Sequence, residues 1–175
     1  MARIRKFVAY RKLERPYTRT SKYKDKAYVH ASPHKNIVKF DIGNLTKKYP
    51  FTVNLNVKSA LQIRDNALES ARQTSSRVLE KGLGQNGFHL KLRVYPFHIL
   101  RENPLASGAG ADRFSTGMQK AFGKPIGNAA QMKQGQTVFQ VDVEKQHIPL
   151  AKKALERAAS KLPCSCSITI IENKA

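Results

Sequence analysis

Apolar and polar residues alternate most cleanly at Phe51–Lys58, where Phe51, Val53, Leu55 and Val57 interleave with Thr52, Asn54, Asn56 and Lys58. A period of two puts one set on each face of a strand. The same rhythm predicts a strand over Ile37–Ile42, with Val38, Phe40 and Ile42 on one side, and another over Phe88–Tyr95. In the latter, Phe88, Leu90, Leu92 and Val94 face a core while His89, Lys91, Arg93 and Tyr95 face outward. Gly43, Asn44 and Pro50 are turn material between the first two strands. The period then lengthens. Ser59, with Gln62 three places on, forms a capping box, and Ala60, Leu61, Ile63, Ala67, Leu68, Ala71, Val78 and Leu79 make a helical stripe that Gly82 and Gly84 end. Arg64 falls within that stripe, so it either snorkels to the edge or faces a polyanion.

Beyond Pro96, Phe97–Arg101 reads as a short partner strand. Residues 103–135 then break every pattern, punctuated by Pro104, Gly108, Gly110, Gly117, Gly123, Pro125, Gly127 and Gly135. So long a stretch without regular structure inside a domain is functional or disordered. Alternation resumes at Thr137–Val143. Pro149 opens a second helix carrying Leu150, Ala151, Ala154, Leu155, Ala158 and Leu162, and Ser167–Ile171 is a last strand. The order β-β-α-β-β-(long loop)-β-α-β fits an α+β fold, a mostly antiparallel or mixed sheet with two packed helices, better than a doubly wound parallel sheet. One domain is expected over 1–175, with an extended basic arm at 1–35, a core at 36–102 and 136–175, and the glycine-rich loop at 103–135.

Charge changes this picture more than any other property. The 175 residues hold 32 Lys and Arg against 12 Asp and Glu, a formal net charge of +20 at pH 7. Residues 1–48 carry 14 Lys and Arg against Glu14, Asp25 and Asp41, so over half of the excess lies in the first quarter. There Arg3, Arg5, Lys6, Arg11, Lys12, Arg15, Arg19, Lys22 and Lys24 alternate with Phe7, Tyr10, Tyr17, Tyr23 and Tyr28. Cations for phosphates and rings for bases are the composition of an arm laid across RNA; a solvated tail is the plainer alternative. Lys91 and Arg93 share a strand face about 6.6–6.8 Å apart, comparable to successive phosphates, although a solvated charged face explains them as well. No apolar run approaches a membrane span, and Met1–Tyr10 lacks the form of a secretory signal, so a cytoplasmic protein without membrane partners is expected.

Catalytic chemistry finds little footing. Gly117, Gly123 and Lys124 only suggest a P-loop: five residues separate the glycines where four are needed, and Pro125 stands where a metal-binding Ser or Thr belongs. Cys164-x-Cys166 has the wrong spacing for a zinc knuckle, and Pro33 keeps His30 and His34 off one helical face. No cofactor, metal or small-molecule substrate is expected, and no enzyme activity.

Several blocks in the loop region are more specific. Tyr95-Pro96-Phe97-His98-Ile99-Leu100-Arg101, then Gly110-Ala111-Asp112-Arg113-Phe114-Ser115-Thr116-Gly117-Met118, then Ala121-Phe122-Gly123-Lys124-Pro125, resemble in order and spacing the archaeal and eukaryotic large-subunit ribosomal protein family numbered ten, the counterpart of bacterial large-subunit protein sixteen. Asn86-Gly87-Phe88-His89 resembles that family's strand entry. The resemblance implies a non-catalytic constituent of the large ribosomal subunit, bound to ribosomal RNA and neighbouring ribosomal proteins near the base of the central protuberance. It also implies a loop extending toward tRNA and the peptidyl-transferase region. Position by position it assigns Arg113, Thr116, Met118 and Lys124 to that tRNA-proximal loop and His98 to its base, whereas Lys120, in the same loop, and the arm residues rest on charge alone. The loop is expected to be mobile without RNA. A general nucleic-acid architectural protein outside the ribosome shares the charge but has no use for this loop. An RNA-modifying enzyme needs a cofactor loop or acid–base pair that the sequence lacks.

Overall fold

Phe51–Val57 forms strand β2, and Val53, Leu55 and Val57 on its inner face are fully buried, as the alternation predicts. In the computed structural model, which describes residues 4–13, 23, 33–103, 108–110 and 123–173, β2 lies between β7 (Thr137–Val143) and β8 (Cys166–Glu172). Beyond β7 come β4 (His89–Leu92) and β1 (Asp41–Gly43), completing a five-stranded sheet paired antiparallel throughout. Helix α2 (Ile148–Ala159) packs on the inner face through Ala151, Ala154, Leu155 and Ala158, and α1 (Asp65–Leu83) packs on α2 through Leu68, Ala71 and Leu79. With Leu90, Phe139 and Val141 these make one continuous apolar core. Each fully buried Leu, Val or Phe stabilises the fold by about 1.5–3 kcal/mol. The fold is α+β, as expected.

A second sheet of three strands, β3 (Leu61–Arg64), β6 (Lys124–Met132) and β5 (His98–Glu102), lies against α1. All three of its strands depart from the sequence reading. The helix expected after Ser59 begins only at Asp65, because Leu61, Gln62 and Ile63 are all buried and their backbones pair with Met132, Gln131 and Ala130. These three residues are buried on both faces and too few for a period to separate strand from helix. Asp65 opens the helix instead: one carboxylate oxygen accepts the Asn66 amide at 2.8 Å, the other the Asn36 backbone and side-chain amides at 3.1 and 2.8 Å.

Strand β6 occupies Lys124–Met132, within the segment 103–135 expected to be loop. Pro125 and Gly127 disguise it. Pro125 stands opposite Arg101 and Gly127 opposite Leu100, leaving Ile126 as the extra residue of a bulge, the one interior site where a strand accommodates proline. The strand expected at Phe97–Arg101 is shifted by one residue and pairs with β6, not with β4. The Phe97 amide donates to the Tyr95 carbonyl at 3.0 Å across Pro96, a three-residue turn that sends the chain from one sheet to the other.

Residues 37–40 are not strand either. The Val38 amide donates to Glu69 Oε2 at 3.4 Å, so helix α1 competes for this backbone, and ladder pairing starts only where Leu92 donates to the Phe40 carbonyl at 2.8 Å. Gly43 ends β1 at φ +100°, where any Cβ would run into the Phe88 carbonyl. Helix α1 stops at Gly84 as expected, its amide bonding Glu80 O at 3.0 Å.

Candidate nucleic-acid interface

The outer face of the larger sheet is built by register. Residues directly opposite across an antiparallel ladder share a face. One row therefore reads Asp41, Lys91, Gln140, Asn54, Thr169, and the next His89, Asp142, Thr52, Ile171. No helix covers this face among the described residues; both helices lie on the other side. At the His89 end its polar side chains are paired with one another. His89 Nδ1 lies 3.0 Å from Asp142 and Nε2 3.0 Å from Asp41, while Thr52 donates to Asp142 at 2.7 Å. Lys91 Nζ stands 3.8 Å from Asp41. Further along, Arg93 is exposed and donates from its side chain to the neutral Gln140, at 3.2 Å. The positive field is thus concentrated toward Arg93, the end at which Tyr95 follows.

The smaller sheet holds the start of the arm. Residues Phe7–Tyr10 form a 3-10 turn whose Tyr10 is buried against Leu100 and Ala129. Arg5 places Nε and Nη2 on the two Glu102 oxygens at 2.9 and 2.6 Å, its own amide donates to Tyr10 Oη at 3.0 Å, and its carbonyl accepts Arg64 Nη1 at 2.9 Å. Glu102 raises the Arg5 pKa above its ordinary value. Arg5 is therefore an anchor, its fork occupied by a carboxylate. Arg64 resolves the choice left by the sequence: its guanidinium reaches the edge of the sheet and there binds the arm's backbone. Gln62, fully buried, donates from Nε2 to the Tyr10 and Lys12 carbonyls. Lys6, Arg11 and Lys12 lie beside these anchors and are exposed, Arg11 over the Phe7 ring at 5.5 Å.

His98, expected at the base of the loop, is the first residue of β5, at the end of that strand away from residue 103, and its side chain does not face solvent. It is 5% exposed, and Gln131 Nε2 donates to its Nδ1 at 3.2 Å. Burial, with Arg101 nearby, pushes its pKa down to about 4, so it is a neutral packing group at physiological pH. Lys124 opens β6 on the other side of the loop and is exposed. Arg3, Arg15, Arg19, Lys22, Lys24, Arg113, Thr116, Met118 and Lys120 lie outside the described residues.

Sequence reasoning missed Glu102 and Gln62, which hold the arm, and the ring cluster of Phe40, Tyr95 and Phe97. The signal for the rings was the outward position of Tyr95 on the cationic strand face. Among the described residues there is no cluster of three His, Cys, Asp or Glu side chains able to hold a metal, and no helix long and apolar enough to cross a membrane.

Comparison with known proteins gives a consistent result. The family model described as ribosomal protein L16p/L10e matches residues 12–169. The chain is 45% identical over 161 residues, covering 92% of it and 89% of the relative, to large ribosomal subunit protein uL16 of Archaeoglobus fulgidus. It is 46% identical over 153 residues to the proteins of that name from Staphylothermus marinus, covering 87% of this chain and 84% of the relative, and Methanoculleus marisnigri, covering 87% and 89%.

Proposed function

Because the chain belongs to the ribosomal protein L16p/L10e family, and so is a structural, non-enzymatic constituent of the large subunit of the cytoplasmic ribosome, we propose that it fastens ribosomal RNA through two basic surfaces and presents its loop to tRNA. The first surface is the arm, in which Lys6, Arg11 and Lys12, together with Arg3, Arg15, Arg19, Lys22 and Lys24, neutralise phosphates. Arg5 fixes the arm to the body. The second is the outer sheet face, with Lys91 and Arg93. The observation that carries this reading is the sheet face that no described helix covers, with its charge gathered at Arg93, a cation held by a neutral amide and not by a carboxylate. Phosphate contacts set position and affinity, whereas bases exposed in single strands give RNA its sequence readout.

The loop between β5 and β6, with Arg113, Thr116, Met118 and Lys120, and with Lys124 where β6 begins, approaches tRNA, and His98 belongs to the strand that leads into it. Substituting Arg113 or Lys124 with Ala is expected to leave subunit assembly intact and slow translation. Failure of those variants to enter subunits would make the loop an assembly element.

Sedimentation of a cell extract through sucrose at moderate and high salt tests the larger claim. Co-migration with the large subunit at both salts is expected. Recovery with chromosomal DNA or in light fractions would favour a general nucleic-acid-binding role.

A further inference from the structure

Phe97 is 64% exposed and Tyr95 37%, the most exposed Phe and Tyr among the described residues after position 33. Tyr95 stacks on Phe40, with ring centroids 5.3 Å apart and planes 21° apart, and Phe97 tilts against Tyr95 at 4.5 Å. Lys35 Nζ lies 5.0 Å from the Tyr95 ring centre. Phe97 follows Tyr95 by two residues with buried Pro96 between them, so it keeps the outward side and an apolar ring is held in solvent. Arg93 precedes Tyr95 by two residues and both are exposed while Val94 between them is buried, so cation and rings share one surface.

We propose that Phe97, backed by Tyr95 and Phe40, is a stacking platform for an unpaired RNA base, with Arg93 and Lys35 placed for the flanking phosphates. This deepens the RNA-binding reading and rests on it. A flat ring backed by two more, edged by cations, offers a π-face to a base and charge to its backbone, the combination by which sheet surfaces take single strands. A duplex hides its base faces and gains nothing from the rings. A protein partner is the other occupant of an exposed apolar patch, but the flanking Arg93 and Lys35 favour a polyanion.

The test uses the full chain with two probes, an oligoadenylate about 12 nucleotides long and a fully paired RNA duplex of the same length, both followed by fluorescence anisotropy across a salt series. Phe97→Ala and Phe97→Leu are expected to weaken oligoadenylate binding by about 5- to 150-fold, the range that one stacked base supplies. Phe97→Trp retains binding, and the duplex affinity and the salt slope stay as in the wild type. Because Phe97 is exposed, all three variants keep the wild-type Tm. Wild-type affinity in Phe97→Leu, or equal losses on both probes, would overturn the platform while leaving RNA binding standing. A wild-type protein that binds neither probe would overturn the RNA-binding reading and the platform with it.

Discussion

The two sheets are held by different chemistry. The five-stranded sheet buries Val53, Leu55, Leu90, Phe139 and Val141 beneath two helices, an apolar set throughout. The three-stranded sheet buries Gln62, His98, Glu102 and Asn128, and each of the three that face the arm is spent on it. Gln62 bonds the Tyr10 and Lys12 carbonyls, Glu102 takes Arg5, and Asn128 Nδ2 donates to the Pro33 and His34 carbonyls at 3.1 and 3.0 Å. The smaller sheet therefore clasps the basic arm at both of its ends, near residue 10 and near residue 33. One sheet makes the body, and the other anchors residues near 10 and near 33. Apolar burial is non-directional and tolerates repacking, whereas a buried amide must meet its partner within hydrogen-bond geometry. The clasp thus sets position where the core supplies stability.

If that division holds, the largest loss comes from the body. Phe139→Ala removes a fully buried ring between Leu55 and Leu92 and is expected to cost about 3–5 kcal/mol, read as a fall in Tm and in denaturant midpoint. A smaller loss would show that the core collapses around the gap.

Next comes a pH effect confined to the smaller sheet. His98 has a folded-state pKa of about 4, below its ordinary value of 6.5, so the folded protein binds fewer protons there than the unfolded chain. Its contribution is fully present above pH 6.5 and is lost as pH falls toward 4, on the order of 2 kcal/mol. The difference in stability between wild type and His98→Gln, followed by denaturant melts from pH 7.5 to 4, should shrink through that window. A constant difference would mean that the imidazole charges without disturbing the sheet.

Gln62→Leu separates clasp from core most directly. It keeps the volume of the side chain but strands two backbone carbonyls of the arm, expected at about 1–2 kcal/mol. Trypsin cleavage after Arg11 or Lys12 should quicken by about 5- to 30-fold while Tm changes little. Equal losses in both would make arm and body one cooperative unit. The same contrast explains what the sequence revealed. The strands at 51–57 and 137–143 and the second helix were legible because one face of each is apolar and the period shows it. The smaller sheet was not, because its strands are written in Gln62, Pro125, Gly127 and Asn128, whose roles depend on partners far away in the chain. Of the candidate site, the outward cations Lys91 and Arg93 could be read from alternation, but the occupation of Arg5 by Glu102 could not, since 97 residues separate them.

The smallest effect on stability, and the sharpest on binding, belongs to the uncovered face of the body. Lys91→Ala combined with Arg93→Ala removes two surface cations held only by a 3.8 Å approach to Asp41 and a bond to Gln140, so stability should move by no more than about 0.5 kcal/mol. Every phosphate left without its cation lowers the slope of log affinity against log salt by about 0.7–0.9, and the double variant should therefore flatten it by about 1.4–1.8 on ribosomal RNA. Gln62→Leu, by contrast, leaves every arm cation in place and only loosens its position, so it should weaken binding with little change of slope. The two variants thus distinguish charge supplied by the body from charge positioned by the clasp. An unchanged slope in the double variant would remove the sheet face from the binding surface and leave the arm to carry it.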